Sequence, residues 1–401
     1  MPIFTIHNLP EMSLCKKLRY IIESGTKHGQ LLSINKKSSL IPTLGIRDDF
    51  FVPCVYDIFK KYSCIQIPFC TFIYERQKLM ADFTETKAQI IDLVNKQIVP
   101  GASFGFINGT QTHKYIYGSK SWRPAKIALK GDELHDLASL TKVMGTVPLI
   151  IKLLHEKKID LHDPIQKYLP DFTDSRVELF HLITHTSGIH GYIPNRDSLN
   201  SDELIKALIK LPVTDTFNKK VVYTDTGLIF LGLVIEQICH MPVQDAIMKY
   251  VVEPEGLKDA TFEPDISRCV PTYEVNGQML QGVANDPKAR QLGKHCGSAG
   301  MFATLDDVMK FAADMLLPDK KDLYHNYTQL DPGRSLGWDV KPDGSGHVLF
   351  HTGYTGEFIA VDYQHQNAMV VMTNRVHPIQ NNQLFLERRE TILDAFLNES
   401  K

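Results

Sequence analysis

The sequence predicts an α+β protein, with one antiparallel sheet flanked by helices and an all-helical lobe beside it. Three observations predict this. Strand-like runs lie at both ends of the chain beyond residue 80, and a helix-rich stretch separates them. The first strands are joined by Asn108-Gly109, a dipeptide that tolerates the positive φ of a tight hairpin.

In chain order, Asp82 with Glu85 can cap a helix start, and Ile90, Val94 and Ile98 then recur on one helical face until Pro100-Gly101 ends it. Runs 102–107 and 112–117 flank the Asn108-Gly109 turn. Residues 139–285 are rich in helix, clearest at 139–155, 202–211 and 226–239, and Pro148 implies a kink or break in the first of these. Past residue 296, runs 347–351, 358–362 and 368–373 read as strands and 384–397 as a closing helix. The sheet lobe is therefore expected over about 82–136 and 290–400, and the helical lobe over about 140–289. A cleft between lobes is the natural site for a ligand.

The first 79 residues differ from the rest: they hold four of the seven cysteines and carry a net charge of +5 against −7 for the remainder. They are either an accessory extension or a leader upstream of a true start at Met80, and the second reading is favoured. The 401 residues are 43% hydrophobic and 22% charged with net charge −2, an ordinary globular balance that implies neither nucleic acid nor an anionic membrane as partner. An odd cysteine count without regular spacing reads as reduced thiols rather than a disulfide framework. No run approaches the roughly 18 apolar residues of a membrane span. Residues 1–20 lack an apolar signal core, being interrupted by Asn8, Pro10 and Glu11. A cytoplasmic protein is expected. Nothing in the sequence sets its oligomeric state.

Three short motifs carry chemistry. Ser139-Leu140-Thr141-Lys142 opens an apolar helical run, and residues three apart share a helix face, so the Lys142 amine can lie beside the Ser139 hydroxyl. A serine needs such a neighbour to lose its proton, and burial favours the free amine of lysine. Tyr223-Thr224-Asp225 offers a phenol that can relay a proton where a cation is close. His351-Thr352-Gly353 follows an apolar run, and Gly353 lets a strand pass close to a substrate. Backbone N–H groups of Ser139 and Tyr354 can then form a two-donor oxyanion hole.

Taken together, in this order and at these separations, the three motifs resemble those of the β-lactamase-related serine hydrolases, the group of class C β-lactamases, penicillin-binding DD-peptidases and related esterases. The likeness extends to Asp136-Leu137-Ala138, Ile159-Asp160-Leu161-His162-Asp163-Pro164, Leu182-Ile183-Thr184-His185-Thr186-Ser187-Gly188, Gly297-Ser298-Ala299-Gly300-Met301-Phe302 and Asn374-Arg375-Val376-His377-Pro378. It runs from about residue 82 to 397. By this resemblance Ser139 is the nucleophile of an acyl-enzyme, Lys142 and Tyr223 share base and acid roles, and Asp225, His351, Thr352 and Gly353 line the substrate. No cofactor is implied, and the partner is a small-molecule or peptide substrate. The leading reading is hydrolysis of esters or amides of small acyl or D-amino-acid compounds. Alternatives are a cell-wall DD-carboxypeptidase or β-lactamase, or a catalytically silent binding module.

Two positions depart from the family pattern. Asp225 stands where asparagine is common, and an ionised carboxylate cannot donate a hydrogen bond; it can pair with Lys142 or with a substrate ammonium. His351 replaces lysine and weakens the fixed charge that would hold a substrate carboxylate. Both departures predict weak β-lactam hydrolysis. His181 and His185 are four apart, but the stretch runs into Thr186-Ser187-Gly188 with no carboxylate partner, so no metal site is expected. Cys296 beside His295 reads as a structural thiol.

Overall fold

The computed structural model describes residues 82–275, 277–342, 346–378 and 380–401. The proposed extension over 1–79, its four cysteines and the start at Met80 lie outside the described residues.

Helix α1 (Thr84–Asn95) begins where Asp82 Oδ1 accepts the Thr84 N–H at 3.1 Å. Its next two amides donate to Glu399, the Glu85 N–H at 2.8 Å and the Thr86 N–H at 3.0 Å. A carboxylate from the far end of the chain thus satisfies the open helix start. Strands β1 (Gly101–Asn108) and β2 (Gln111–Ser121) pair with Asn108 opposite Gln111, and Gly109 in the turn has φ 59°. Short strands β3 (Ile127–Ala128), β4 (His135–Asp136), β5 (Glu274–Val275), β6 (Gln278–Met279) and β7 (Phe302–Ala303) follow. The last four are β8 (Asp339–Pro342), β9 (His347–Thr352), β10 (Phe358–Asp362) and β11 (Asn367–Thr373). Seven strands form one sheet in the order β3-β2-β1-β11-β10-β9-β8. The first long strand lies beside the last, antiparallel, with Ala102 opposite Thr373.

Both faces of this sheet are covered, so every residue of β11 is buried. On one face, Ile90 and Leu93 of α1 join Phe385, Ile392 and Phe396 of the C-terminal helix Gln383–Glu399. Phe83 stacks on Phe106 at 4.9 Å and on Phe396 at 5.3 Å. Fully burying each such side chain contributes roughly 1.5–3 kcal/mol. On the other face, Ile359, Val361, Val370 and Met372 belong to one continuous core with the helical region.

That region contains α2 (Val147–His155), α3 (Leu179–Ile183), α4 (Ser201–Ile209), α5 (Asp225–Cys239) and α6 (Pro287–Leu292). The predicted helix over 139–155 is divided. Lys142–Thr146 form a π turn, and Pro148 falls in the first turn of α2, where its missing N–H costs nothing. Among the described residues no single helix is long and apolar enough to cross a membrane. α5 is apolar because Leu228 to Ile235 are buried in the core.

Candidate active site

Ser139 sits at a sharp turn between β4 and the π turn. Ala138 just before it has φ 43°, a left-handed conformation unusual for a residue with a side chain. Its N–H donates to Asp136 Oδ1 at 2.9 Å, which holds the turn. From the next helical turn, Lys142 Nζ donates to Ser139 Oγ at 2.7 Å and to the Ser298 carbonyl at 2.9 Å. Thr146 Oγ1 donates to the Gly297 carbonyl at 2.5 Å, and the Met301 N–H donates to Thr141 Oγ1 at 3.1 Å. The 297–301 segment is therefore stitched along the side of the serine helix.

Lys142 is completely buried, and its Nζ lies 2.8 Å from Asp225 Oδ1. Burial pulls its pKa down. The Asp225 carboxylate, with a smaller contribution from the Tyr223 hydroxyl, outweighs that pull and holds the ammonium above the ordinary lysine value. The sequence argument for a free amine, made from burial alone, is corrected here by the counter-charge. Asp225 opens α5, with Thr224 as its N-cap, and its second oxygen meets Lys288 Nζ at 2.5 Å. Burial would raise the Asp225 pKa, but the two lysines hold it below the ordinary carboxylate range.

Tyr223 closes the group. Its ring centroid is 5.3 Å from Lys142 Nζ, and it is 45% exposed, so it stands between the buried lysine and solvent. His185 lies against it at 4.6 Å and His351 at 6.2 Å. The Thr224 N–H donates to His185 Nδ1 at 3.4 Å and the Val222 N–H to the His185 carbonyl at 2.9 Å, so one residue holds the whole 222–224 segment. Burial, reinforced by Arg334 and Lys142, pushes the pKa of both His185 and His351 well below the ordinary value, and both rings are neutral. His351 thus brings no cation. Arg334 does: its guanidinium is 5.5 Å from the Tyr223 ring centroid and its Nη1 is 2.6 Å from Asp339.

The end of β9 approaches the serine turn directly. A Cβ on Gly353 would lie 2.6 Å from the Leu137 carbonyl oxygen and 2.9 Å from Glu357 Oε2. The close approach that requires glycine here is to protein, beside the nucleophile. Among the described residues, the Ser139 and Tyr354 N–H groups have no protein acceptor. Tyr354 is 50% exposed, and Arg375 Nε donates to its carbonyl at 2.6 Å.

All the residues singled out from sequence lie in or beside this cluster: Ser139, Lys142, Tyr223 and Asp225 directly, and His351, Thr352, Gly353 and Tyr354 along the adjoining strand end. Sequence reasoning missed Lys288 and Arg334. No local pattern marks either cation, because Lys288 is 63 residues from its partner. Away from the cluster, His181 shares a capping box with Glu178, and His295 pairs with Glu236 at 2.9 Å. Cys296 is buried.

A family model for β-lactamase matches residues 79–390. The chain belongs to the β-lactamase family. A curated relative from Salmonella agona, named "Putative D-alanyl-D-alanine carboxypeptidase", is 27% identical over 307 residues, covering 62% of this chain and 71% of that protein. A β-lactamase/D-alanine carboxypeptidase from Pseudomonas syringae superposes with TM-score 0.64 at 17% identity, over 80% of this chain and 99% of its own. EstCE1, a hydrolase with promiscuous acyltransferase activity, gives TM-score 0.64 at 18% identity, over 81% of this chain and 100% of its own. These likenesses confirm the predicted α+β fold of the β-lactamase/transpeptidase type. As a member of this family, the chain is a serine acyl hydrolase.

Proposed function

We propose that Ser139 is the nucleophile, attacking an ester or amide of a small acyl or D-amino-acid compound to form an acyl-enzyme that water then hydrolyses. The observation that carries this is the 2.7 Å contact between Lys142 Nζ and Ser139 Oγ inside a buried, charge-balanced cluster. With Lys142 kept charged by Asp225, the Ser139 proton passes to the Tyr223 oxygen and returns from there to the leaving group. In this relay Tyr223 bears its negative charge before it takes the proton and again after it gives it up, and the Lys142 ammonium and the Arg334 guanidinium compensate that charge. Ser139 and Tyr354 N–H groups receive the oxyanion, at the start of a helix whose dipole favours negative charge.

Asp225 is engaged by two lysines, which argues against its serving a substrate ammonium. A second reading, a peptide ending in a D-amino-acid carboxylate, is supported by the name of the Salmonella relative. Cys239, Cys269 and Cys296 are free thiols, which supports a reducing, cytoplasmic setting.

The test compares a p-nitrophenyl ester, a D-alanyl-D-alanine-terminated peptide and its C-terminal amide, in wild type and Ser139→Ala. Turnover should fall roughly 10³–10⁶-fold in the variant, and fluorophosphonate labelling should disappear with it. Retained turnover would place the chemistry elsewhere. Preference for the free peptide over its amide selects the carboxypeptidase reading.

A further inference from the structure

Beneath the proposed oxyanion hole lies a second buried polar cluster that the chemistry above does not use. Asp136, Thr355 and Glu357 are each at most 3% exposed, and with His135, Thr373 and Asn374 they close on a hollow too small for a water molecule. Asp136 Oδ1 accepts the Ala138 N–H at 2.9 Å and Oδ2 accepts the Asn285 N–H at 2.6 Å. Thr355 Oγ1 lies 2.7 Å from the Asp136 carbonyl oxygen and 2.5 Å from Glu357 Oε2. The Gly353 N–H donates to the Glu357 carbonyl at 2.6 Å. One network therefore grips the turn that carries Ser139 and the turn that carries Tyr354.

The hydrogens in it can be counted. The Thr355 hydroxyl has a single hydrogen to donate, and both the Glu357 carboxyl and the Asp136 carbonyl lie within reach of it. We infer that Glu357 is a positioning residue that fixes the two oxyanion donors relative to each other, its side chain through Thr355 and the Asp136 carbonyl and its own carbonyl through the Gly353 N–H. This rests on the reading of Ser139 and Tyr354 as oxyanion donors.

Burial, with the charge of Glu357 among the contributing causes, pushes the Asp136 carboxyl up to about 7, against the opposing pull of its two amide donors. The other groups facing the pair are few. His135 Nδ1 on β4 is 3.6 Å from Glu357 Oε1. Asp286 also acts on Asp136 by charge.

The experiment measures kcat and KM for a p-nitrophenyl ester from pH 6 to 9.5 in wild type, Glu357→Gln, Glu357→Ala and Thr355→Val, with folding followed by urea titration. A glutamine side chain still offers Thr355 a hydrogen-bond partner. Glu357→Gln should therefore keep most of the kcat that Glu357→Ala loses. Glu357→Ala and Thr355→Val should lose about 10–100-fold in kcat with KM within about 3-fold, the signature of a lost transition-state contact. Unchanged kcat in a folded Glu357→Ala overturns the inference, as does a loss in Glu357→Gln as large as that in Glu357→Ala. The two failures are separable: if Ser139→Ala keeps its turnover, the nucleophile reading fails whatever the Glu357 variants do.

Discussion

Two aspartates flank the serine, and their pKa values are pushed in opposite directions. Asp225 faces two lysines and is held ionised; Asp136 faces two backbone amides with a second carboxyl nearby and is pushed up to about 7. Desolvation is the largest influence on each, and it acts in the same direction on both. The difference therefore comes from the neighbours, because a buried carboxyl ionises only where opposite charge offsets the lost hydration. One side of the site is a charged network that binds Lys142. The other is a buried hydrogen-bond network that shapes the turns.

The comparison can be broken most forcefully at Asp225. Asp225→Asn leaves Lys142 buried next to Lys288 without counter-charge, and breaking such a pair costs about 3–5 kcal/mol at neutral pH. Urea unfolding should show it, and the loss should shrink at high pH as Lys142 gives up its proton. In wild type the stabilisation from Asp225 is present above the ordinary aspartate value of 3.8 and is lost as pH falls below it, since its folded pKa is depressed. A variant as stable as wild type at pH 7 would mean that the two lysines do not depend on this carboxylate.

Asp136 should give the opposite slope. Its folded pKa exceeds 3.8 and reaches about 7, so between these values the folded state holds more protons than the unfolded state. Stability should fall as pH rises through that window, by at most about 1.4 kcal/mol per pH unit, and flatten above it. Asp136→Asn should be less stable at pH 4, because one amide donor loses its acceptor, and should lack the slope. A slope that survives the substitution would assign it to another group.

The smallest effect is expected at Lys288. Lys288→Met removes one of two cations from Asp225 and leaves the 2.8 Å pair with Lys142 intact. Turnover of the ester should change by less than about tenfold, less than 1.4 kcal/mol. A loss as large as that of Ser139→Ala would place Lys288 in the chemistry itself.

Much of this was legible in the chain because it is local. A serine and a lysine three apart meet on any helix, Asn108-Gly109 marks a hairpin wherever it stands, and short apolar runs between turns mark strands. The bounds of β10 match those read from sequence, and the 139–155 helix differs in the π turn at Lys142–Thr146. Charge states were not legible. Burial alone predicts a free amine at Lys142; the sequence offered Asp225 as one possible partner but could not show that both Asp225 and Lys288 close on the site.

By itself, then, the sequence determined which elements form and which motifs they present, since propensity and periodicity act over a few residues. The tertiary structure alone decided what those motifs face: the Lys142–Asp225–Lys288 chain, Arg334 over Tyr223, Glu399 at the start of α1, and Thr355 between Asp136 and Glu357. Such contacts join residues that lie far apart in the chain, and electrostatic energies depend on distance and burial, neither of which a linear pattern encodes.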